Sequence, residues 1–250
     1  MPLSGSRDIR PLLEGAPTVT LGTRELRIDD VDVLQVLFET RAANAEALLP
    51  AALNPTIPPV ISFLAIRAED SEVGPFSLVQ LRLTARAAVR PRAFLVAARC
   101  DNATAAELLA NVWGFRIDQA DIALRRFHDR VECRVVADRR PILEVALVDP
   151  WPITGHDVQY APGMHLARVE DDAASIPRLV QVDAEYEFRR ADRGRPELRT
   201  FDPGAWGDER LVAVEPVSAS FTACSMSLLP IRYVCNPDLP AAEGTVQVGA

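Results

Sequence analysis

A mainly β fold with a few short helices is what the sequence predicts. Three observations carry the prediction. Apolar residues recur with period two rather than 3.6 along most of the chain. Twenty prolines punctuate the apolar runs. Helical patterning is confined to two short stretches. The 250 residues are 48% hydrophobic, enough to bury a sizeable core. No linker, repeat or composition break divides them, so one domain over residues 1–250 is expected, with frayed ends near 1–15 and 240–250.

The elements follow in order. "LQVLFE" reads as an opening strand, and "TRAANAEALLPAAL" (Thr40 to Leu53) as a helix with Thr40 at its N-cap and a stop near Pro50. "VISFLAI" and "RAFLVAARC" are strand-like apolar runs. Between them, "FSLVQLRLTARA" sets Val79, Leu81 and Leu83 against Gln80, Arg82 and Thr84. That reads as either a wet sheet face or a cavity lining, the wet face favoured. "NATAAELLANVWG" (Asn102 to Gly114) offers Thr104 as an N-cap, Glu107 three residues on, and Gly114 as a stop.

"FHDRVECRVV" alternates as a strand, and "PILEVALVDP" follows it. Residues Asp149 to Gly163 read as a large irregular loop. "RLVQVDAEYEF" (Arg178 to Phe188) places Val180, Val182, Ala184, Tyr186 and Phe188 on one face, and Gln181, Asp183, Glu185 and Glu187 on the other. "RRADRGRPELRTFDPGAWGDER" reads as a second long loop, and "LVAVEPVSASFTACSMSL" as a closing strand.

The formal charge of -8 disfavours a nucleic-acid partner, because the net charge repels phosphates. No apolar run reaches the roughly 18 to 20 residues of a membrane span. The opening residues lack a signal core, so a cytoplasmic protein is expected. Cys100, Cys133, Cys224 and Cys235 form no CxxC pair and are expected to be reduced and buried.

All 27 basic residues are arginine, and lysine is absent. Without a side-chain primary amine, no side chain can form a Schiff base, and a Walker-type phosphate loop lacks its lysine. No GxSxG, HExxH or GxGxxG motif occurs. The three histidines are His128, His156 and His165; the last two, with Asp157, lie in or beside the proline-rich loop. Surface-loop roles are favoured for them over metal ligation, so no metal and no cofactor are expected.

Three candidates for acid/base or clamping chemistry stand out. Glu144, inside "PILEVALV", is either a shielded general acid/base or a solvent-facing, arginine-paired group, the second favoured. Arg116 and Asp118 form either a substrate clamp or a local ion pair.

Four segments resemble the acetoacetate decarboxylase-like superfamily. They are "LQVLFETRAANAEALLPAAL", "VGPFSLVQLRL", "NVWGFRIDQADIAL" and "VEPVSASFTACSMSLLPIRYV", and their order and spacing span most of the chain. The resemblance implies a cone-shaped antiparallel β-barrel with a buried pocket, a few short flanking helices and a homo-oligomer. It also implies where catalytic groups should lie, and this chain departs at each place. The imine-forming lysine falls at Ile117, its lysine neighbour at Asp118 and the preceding proline at Arg116. The two family glutamates fall at Leu78 and at about Leu64, and the arginine near Val31.

Together these readings predict an enzyme of specialised, natural-product metabolism working without a Schiff base on an apolar small molecule. A cyclase, dehydratase or isomerase step fits best, in a pocket formed by Val31, Leu64, Leu78, Gln80, Arg82, Trp113 and Ile117. Arg116, Asp118 and Glu144 are the candidate catalytic groups. The alternative is a non-catalytic binding or accessory protein for the same class of ligand.

Overall fold

The computed structural model describes residues 4–170 and 175–248. The chain is dominated by strands: β1 (Thr18–Val19), β2 (Leu26–Glu39), β3 (Asn54–Pro55), β4 (Val60–Asp70), β5 (Phe76–Ala87), β6 (Arg90–Cys100), β7 (Ile117–Gln119) and β8 (Asp121–Arg126). They continue as β9 (Arg130–Ala137), β10 (Arg140–Pro152), β11 (Gly163–Val169), β12 (Ile176–Val182), β13 (Ala184–Phe201), β14 (Pro216–Leu228), β15 (Tyr233–Cys235) and β16 (Thr245–Gln247). The helices are α1 (Ala42–Leu48), α2 (Ala103–Trp113) and the single turn α3 (Ala241–Gly244).

The mainly β prediction holds. All strands join one sheet, ordered β16-β15-β12-β11-β6-β5-β4-β2-β14-β13-β10-β9-β8, with β1, β3 and β7 attached at β11, β5 and β6. The ladder does not close into a barrel. It is also mixed rather than purely antiparallel, since β11 runs parallel to β6 and to β1, and β7 runs parallel to β6.

The central strands are buried on both faces. Leu34 and Val36 of β2, Phe63 of β4 and Val79 and Leu81 of β5 enter one apolar core with Phe94, Trp206 and Phe221. Val31 and Val33, Leu64 and Leu78, on the opposite faces of the same strands, enter a second core with Trp113, Phe115 and Met226. That is why the first part of β4, Val60 to Ile66, reads as a nearly continuous apolar run. It also overturns the wet-face reading of β5. Gln80 and Arg82 are 5% and 4% exposed, because the polar side of the strand faces a second enclosed compartment.

The helix starts differ from expectation. The first helix is only seven residues, capped at Arg41 without a side-chain hydrogen bond, while Thr40 is buried before it. The second begins one turn-position earlier than Thr104. Asn102 is its cap and accepts from the Ala105 amide at 3.1 Å, which leaves Thr104 inside the first turn rather than at the cap. Its stop is as expected: Gly114 adopts φ 67° and returns its amide to Ala110 and Leu109 carbonyls.

Both long loops were over-read. The stretch from Arg189 is the body of β13, an 18-residue strand whose arginines are mostly exposed and pair with neighbouring acids, as in Arg199–Glu197 and Arg190 with the buried Asp192. Charge and proline content hid a strand whose outer face is solvated. β10 likewise runs on to Pro152, so the irregular stretch shrinks to residues 153–162, with one 3-10 turn at Gly155–Asp157. "RLVQVDAEYEF" splits at Asp183 into β12 and β13, yet its predicted apolar face stays together in the second core. The N-terminal segment is not frayed over its described part: Ile9 is buried in the first core and Gly5 donates to the Leu53 carbonyl at 2.8 Å. The four cysteines are free and buried, as expected.

Candidate active site

Beside the second core lies a small cavity of about 30 Å³. Its apolar wall comes from Leu64 and Ile66 of β4, Phe115 after α2, and Met226 and Leu228 of β14. Its polar groups are Gln80 and Arg82 of β5, His165 of β11, Tyr160 and Tyr186. The strands fix these side chains by alternation: Leu64 and Gln80 are direct partners across β4 and β5, as are Ser62 and Arg82 one step along.

Arg82 is the most unusual member. Its guanidinium is buried, one nitrogen donates to the Ala161 carbonyl at 3.3 Å, and its Nε has no partner among the described residues. Burial lowers its pKa, with only the phenols of Tyr186 and Tyr160 opposing. The β5–β6 ladder shifts register between Leu81 and Arg82, an irregularity of the kind that re-aims a side chain.

His165 is 1% exposed, and burial drops its pKa to about 3, with Arg82 acting in the same direction. Its Nδ1 lies 2.9 Å from the Trp113 carbonyl oxygen. A carbonyl only accepts, so Nδ1 carries the hydrogen and Nε2 of the neutral ring presents a lone pair. The ring stands edge-on to Phe115 at 4.3 Å. Burial raises the Tyr186 hydroxyl pKa to about 12 and pushes that of Tyr160 up as well, so both phenols stay protonated. Tyr160 shares a 2.9 Å hydrogen bond with Thr222, and its ring lies tilted by 58° to that of Tyr186 with centroids 4.8 Å apart.

The expected site residues divide. Leu64, Gln80 and Arg82 line the cavity. Val31, Leu78 and Trp113 are buried in the surrounding core, and Ile117 packs against it, without reaching the cavity lining. The Trp113 indole donates to the Leu229 carbonyl at 2.8 Å, so it anchors α2 rather than facing a ligand.

The three candidate catalytic groups all lie elsewhere. Arg116 is exposed, against Gly15. Asp118 is also exposed and pairs with Arg99 rather than with Arg116. Both sit on or beside the short edge segment β7, whose outer side meets solvent. Glu144 takes the arginine-paired alternative. Its carboxylate accepts from Arg134 at 2.9 Å and from Thr200 at 3.1 Å in an outer groove of about 290 Å³ shared with Arg125, Glu132 and Arg199.

The surface-loop reading of His165 is overturned, because the residue lies inside β11 and closes the cavity. His156 is exposed in the 3-10 turn, as expected. Tyr160, His165 and Tyr186 were missed as site residues. For Tyr186 the signal was present in the alternation of "VDAEYEF"; for His165 it was the flanking apolar run "MHLARV". Among the described residues no group of three His, Cys, Asp or Glu is placed to hold a metal ion. No helix among them is long and apolar enough to cross a membrane.

Solved structures share this architecture. An acetoacetate decarboxylase from Legionella pneumophila superposes with a TM-score of 0.73 at 17% identity, over 84% of this chain and 87% of that one. The enduracididine biosynthesis enzyme MppR, complexed with the condensation product of pyruvate and imidazole 4-carboxaldehyde, gives 0.67 at 19%, over 83% and 88%. An acetoacetate decarboxylase-like enzyme from Sphingomonas wittichii RW1 gives 0.66 at 14%, over 84% and 92%. These likenesses establish the fold. A search of curated protein sequences finds no significant match. The family model for acetoacetate decarboxylase (ADC) matches residues 12–236, nearly the whole chain, and with the shared architecture it shows that this protein belongs to the acetoacetate decarboxylase family.

Proposed function

We propose that the protein is an enzyme of specialised metabolism that acts on a small, largely apolar molecule in this cavity without forming an imine. The chemistry is of the cyclase, dehydratase or isomerase kind, resting on proton transfer. One observation carries the reading. The chain has no lysine, and the basic groups that line the cavity are Arg82 and His165. A neutral imidazole with a bare Nε2 can accept a substrate proton, a guanidinium can stabilise the oxyanion that develops, and protonated phenols can donate. The fold's occurrence in MppR, an enzyme of enduracididine biosynthesis, supports the metabolic setting. In this reading the chain works as one domain, in the cytoplasm and as a homo-oligomer, without a cofactor, nucleic acid or membrane.

The test has two arms. Borohydride reduction in the presence of a keto acid should leave the side chains unmodified by mass; a reduced adduct on any side chain refutes the proposal. Incubation with candidate pathway intermediates should give products of unchanged mass or mass less one water. The small cavity with its apolar wall favours a second reading, a non-catalytic binder. That reading gains if such compounds raise Tm yet are recovered unchanged.

A further inference from the structure

Ser62 and Arg82 face each other across β4 and β5. Both are buried, and Ser62 Oγ and Arg82 Nε each lack a hydrogen-bond partner among the described residues. Among the described residues no carboxylate pairs with Arg82; its hydrogen bond goes to the Ala161 carbonyl. A buried guanidinium without a charged partner is costly to a folded chain. Ser62 does not line the cavity, so an oxyanion bound there would relieve the cost at Arg82. None of the positions where the family resemblance places charged groups supplies this one: Val31, Leu64, Leu78 and Ile117 are apolar, and Asp118 is on the outside.

His165 sets a second condition. The Trp113 carbonyl fixes the ring hydrogen on Nδ1, so Nε2 can only accept. That nitrogen lies against Gly163, and a Cβ on Gly163 would come within 2.5 Å of it. Gly163 and His165 both line the cavity, so the absence of a side chain at 163 leaves Nε2 uncovered. A ligand group meeting it must donate a hydrogen.

We propose that the cavity takes the end of a hydroxy acid, its carboxylate held by the Arg82 guanidinium and its hydroxyl donating to Nε2 of His165. This rests on reading the cavity as the ligand site and names the substrate class for it. A keto acid meets the first condition and fails the second. Its oxo oxygen carries only lone pairs and would oppose the lone pair of Nε2. The space of about 30 Å³ holds little more than the acid end of a ligand, so the rest of a longer, largely apolar molecule must extend beyond it.

Titration calorimetry on the intact protein tests this with two matched series. One compares both enantiomers of lactate with pyruvate, propionate and neutral lactamide. The other compares 3-hydroxybutyrate with acetoacetate and butyrate. In at least one series the hydroxy acid should bind at least about tenfold tighter than its oxo and unsubstituted partners, the worth of one hydrogen bond to a buried acceptor. Arg82→Gln should remove binding, and His165→Phe should remove the preference for the hydroxyl. Arg82→Leu, which removes the buried charge, should also remove binding and serves if the glutamine variant does not fold.

Oxo acids that bind as tightly as hydroxy acids in both series overturn the proposal. Lactamide binding as well as lactate overturns the anion subsite and leaves the cavity standing as a ligand site. If no acid and no amide binds, this proposal falls, while the reading of the cavity as the site of a largely apolar molecule is decided by its own product-mass assay.

Discussion

Asp118 bonds to Arg99 across the parallel β6–β7 pair, in direct register. The same guanidinium reaches the Ala205 carbonyl and lies 5.6 Å from the Trp206 ring centroid. Arg99 therefore ties the short edge strand to the 3-10 turn at Gly204–Trp206, and Asp118 is the outer end of that tie. Because Asp118 is largely solvent-exposed, Asp118→Asn should cost no more than about 1 kcal/mol. Ligand affinity should not change. Urea denaturation and calorimetry on the variant check both points; a lost binding isotherm would return Asp118 to the site.

Arg82→Leu should stabilise the protein while removing ligand binding. Replacing a buried, unpaired charge by an apolar group of similar reach relieves desolvation, by roughly 1 to 4 kcal/mol where ion-pair analogues have been replaced. In a chain of this size each kcal/mol moves Tm by roughly 2 to 4 °C. Scanning calorimetry of the unliganded variant reads the sign directly. A fall of several degrees would mean that Arg82 is held for structure.

His165 gives the protein a specific acid sensitivity. Burial holds its folded pKa at about 3, below the ordinary histidine value of 6.5. Between those values the unfolded chain binds the extra proton, so stability rises with pH across that window and is lost as pH falls through it. Above pH 6.5 the contribution is constant. His165→Gln should flatten the stability profile between pH 6.5 and 3 relative to the parent, measured by urea midpoints. Parallel profiles would show that the ring does not titrate as buried.

Gly114→Ala should be among the more damaging single changes. The backbone there is left-handed at φ 67°, and an added Cβ would lie 2.9 Å from Ala167 Cβ and 3.1 Å from Val180 Cγ2. Strain and overpacking together predict a loss of roughly 2 to 4 kcal/mol. Because Gly114 closes α2 beside the Trp113 carbonyl that holds His165, the variant should also weaken ligand binding. Denaturation midpoints and calorimetry measure the two effects separately.

Strand character was legible in the sequence because alternation reports one buried face directly. It misled where both faces are buried: Gln80 and Arg82 alternate with apolar residues as they would on a solvated sheet, and only the second layer shows what covers them. β13 was hidden for the opposite reason, since its outward arginines and acids gave it the composition of a loop. Leu64, Gln80 and Arg82 reach the cavity lining because alternation along their strands points them there. Arg116, Asp118 and Glu144 stand out by residue type alone, and their side chains lie outside that cavity. His165 and Tyr160 lie far from β5 in sequence, and only pairing of β11 with β6 brings that segment beside it. The absence of lysine was visible at once and needed no structure.

The central strands divide two packed compartments by the thickness of a single backbone. A larger side chain on one of them has no free direction in which to expand, so those strands are poor places to alter ligand preference. The wall made by Tyr160, Ala161 and Pro162 is different: it belongs to no strand and is held by the hydrogen bonds to Arg82 and Ala93. Loop grafting at residues 158–162 is therefore the route by which this scaffold could be retuned to new molecules while its sheet stays intact.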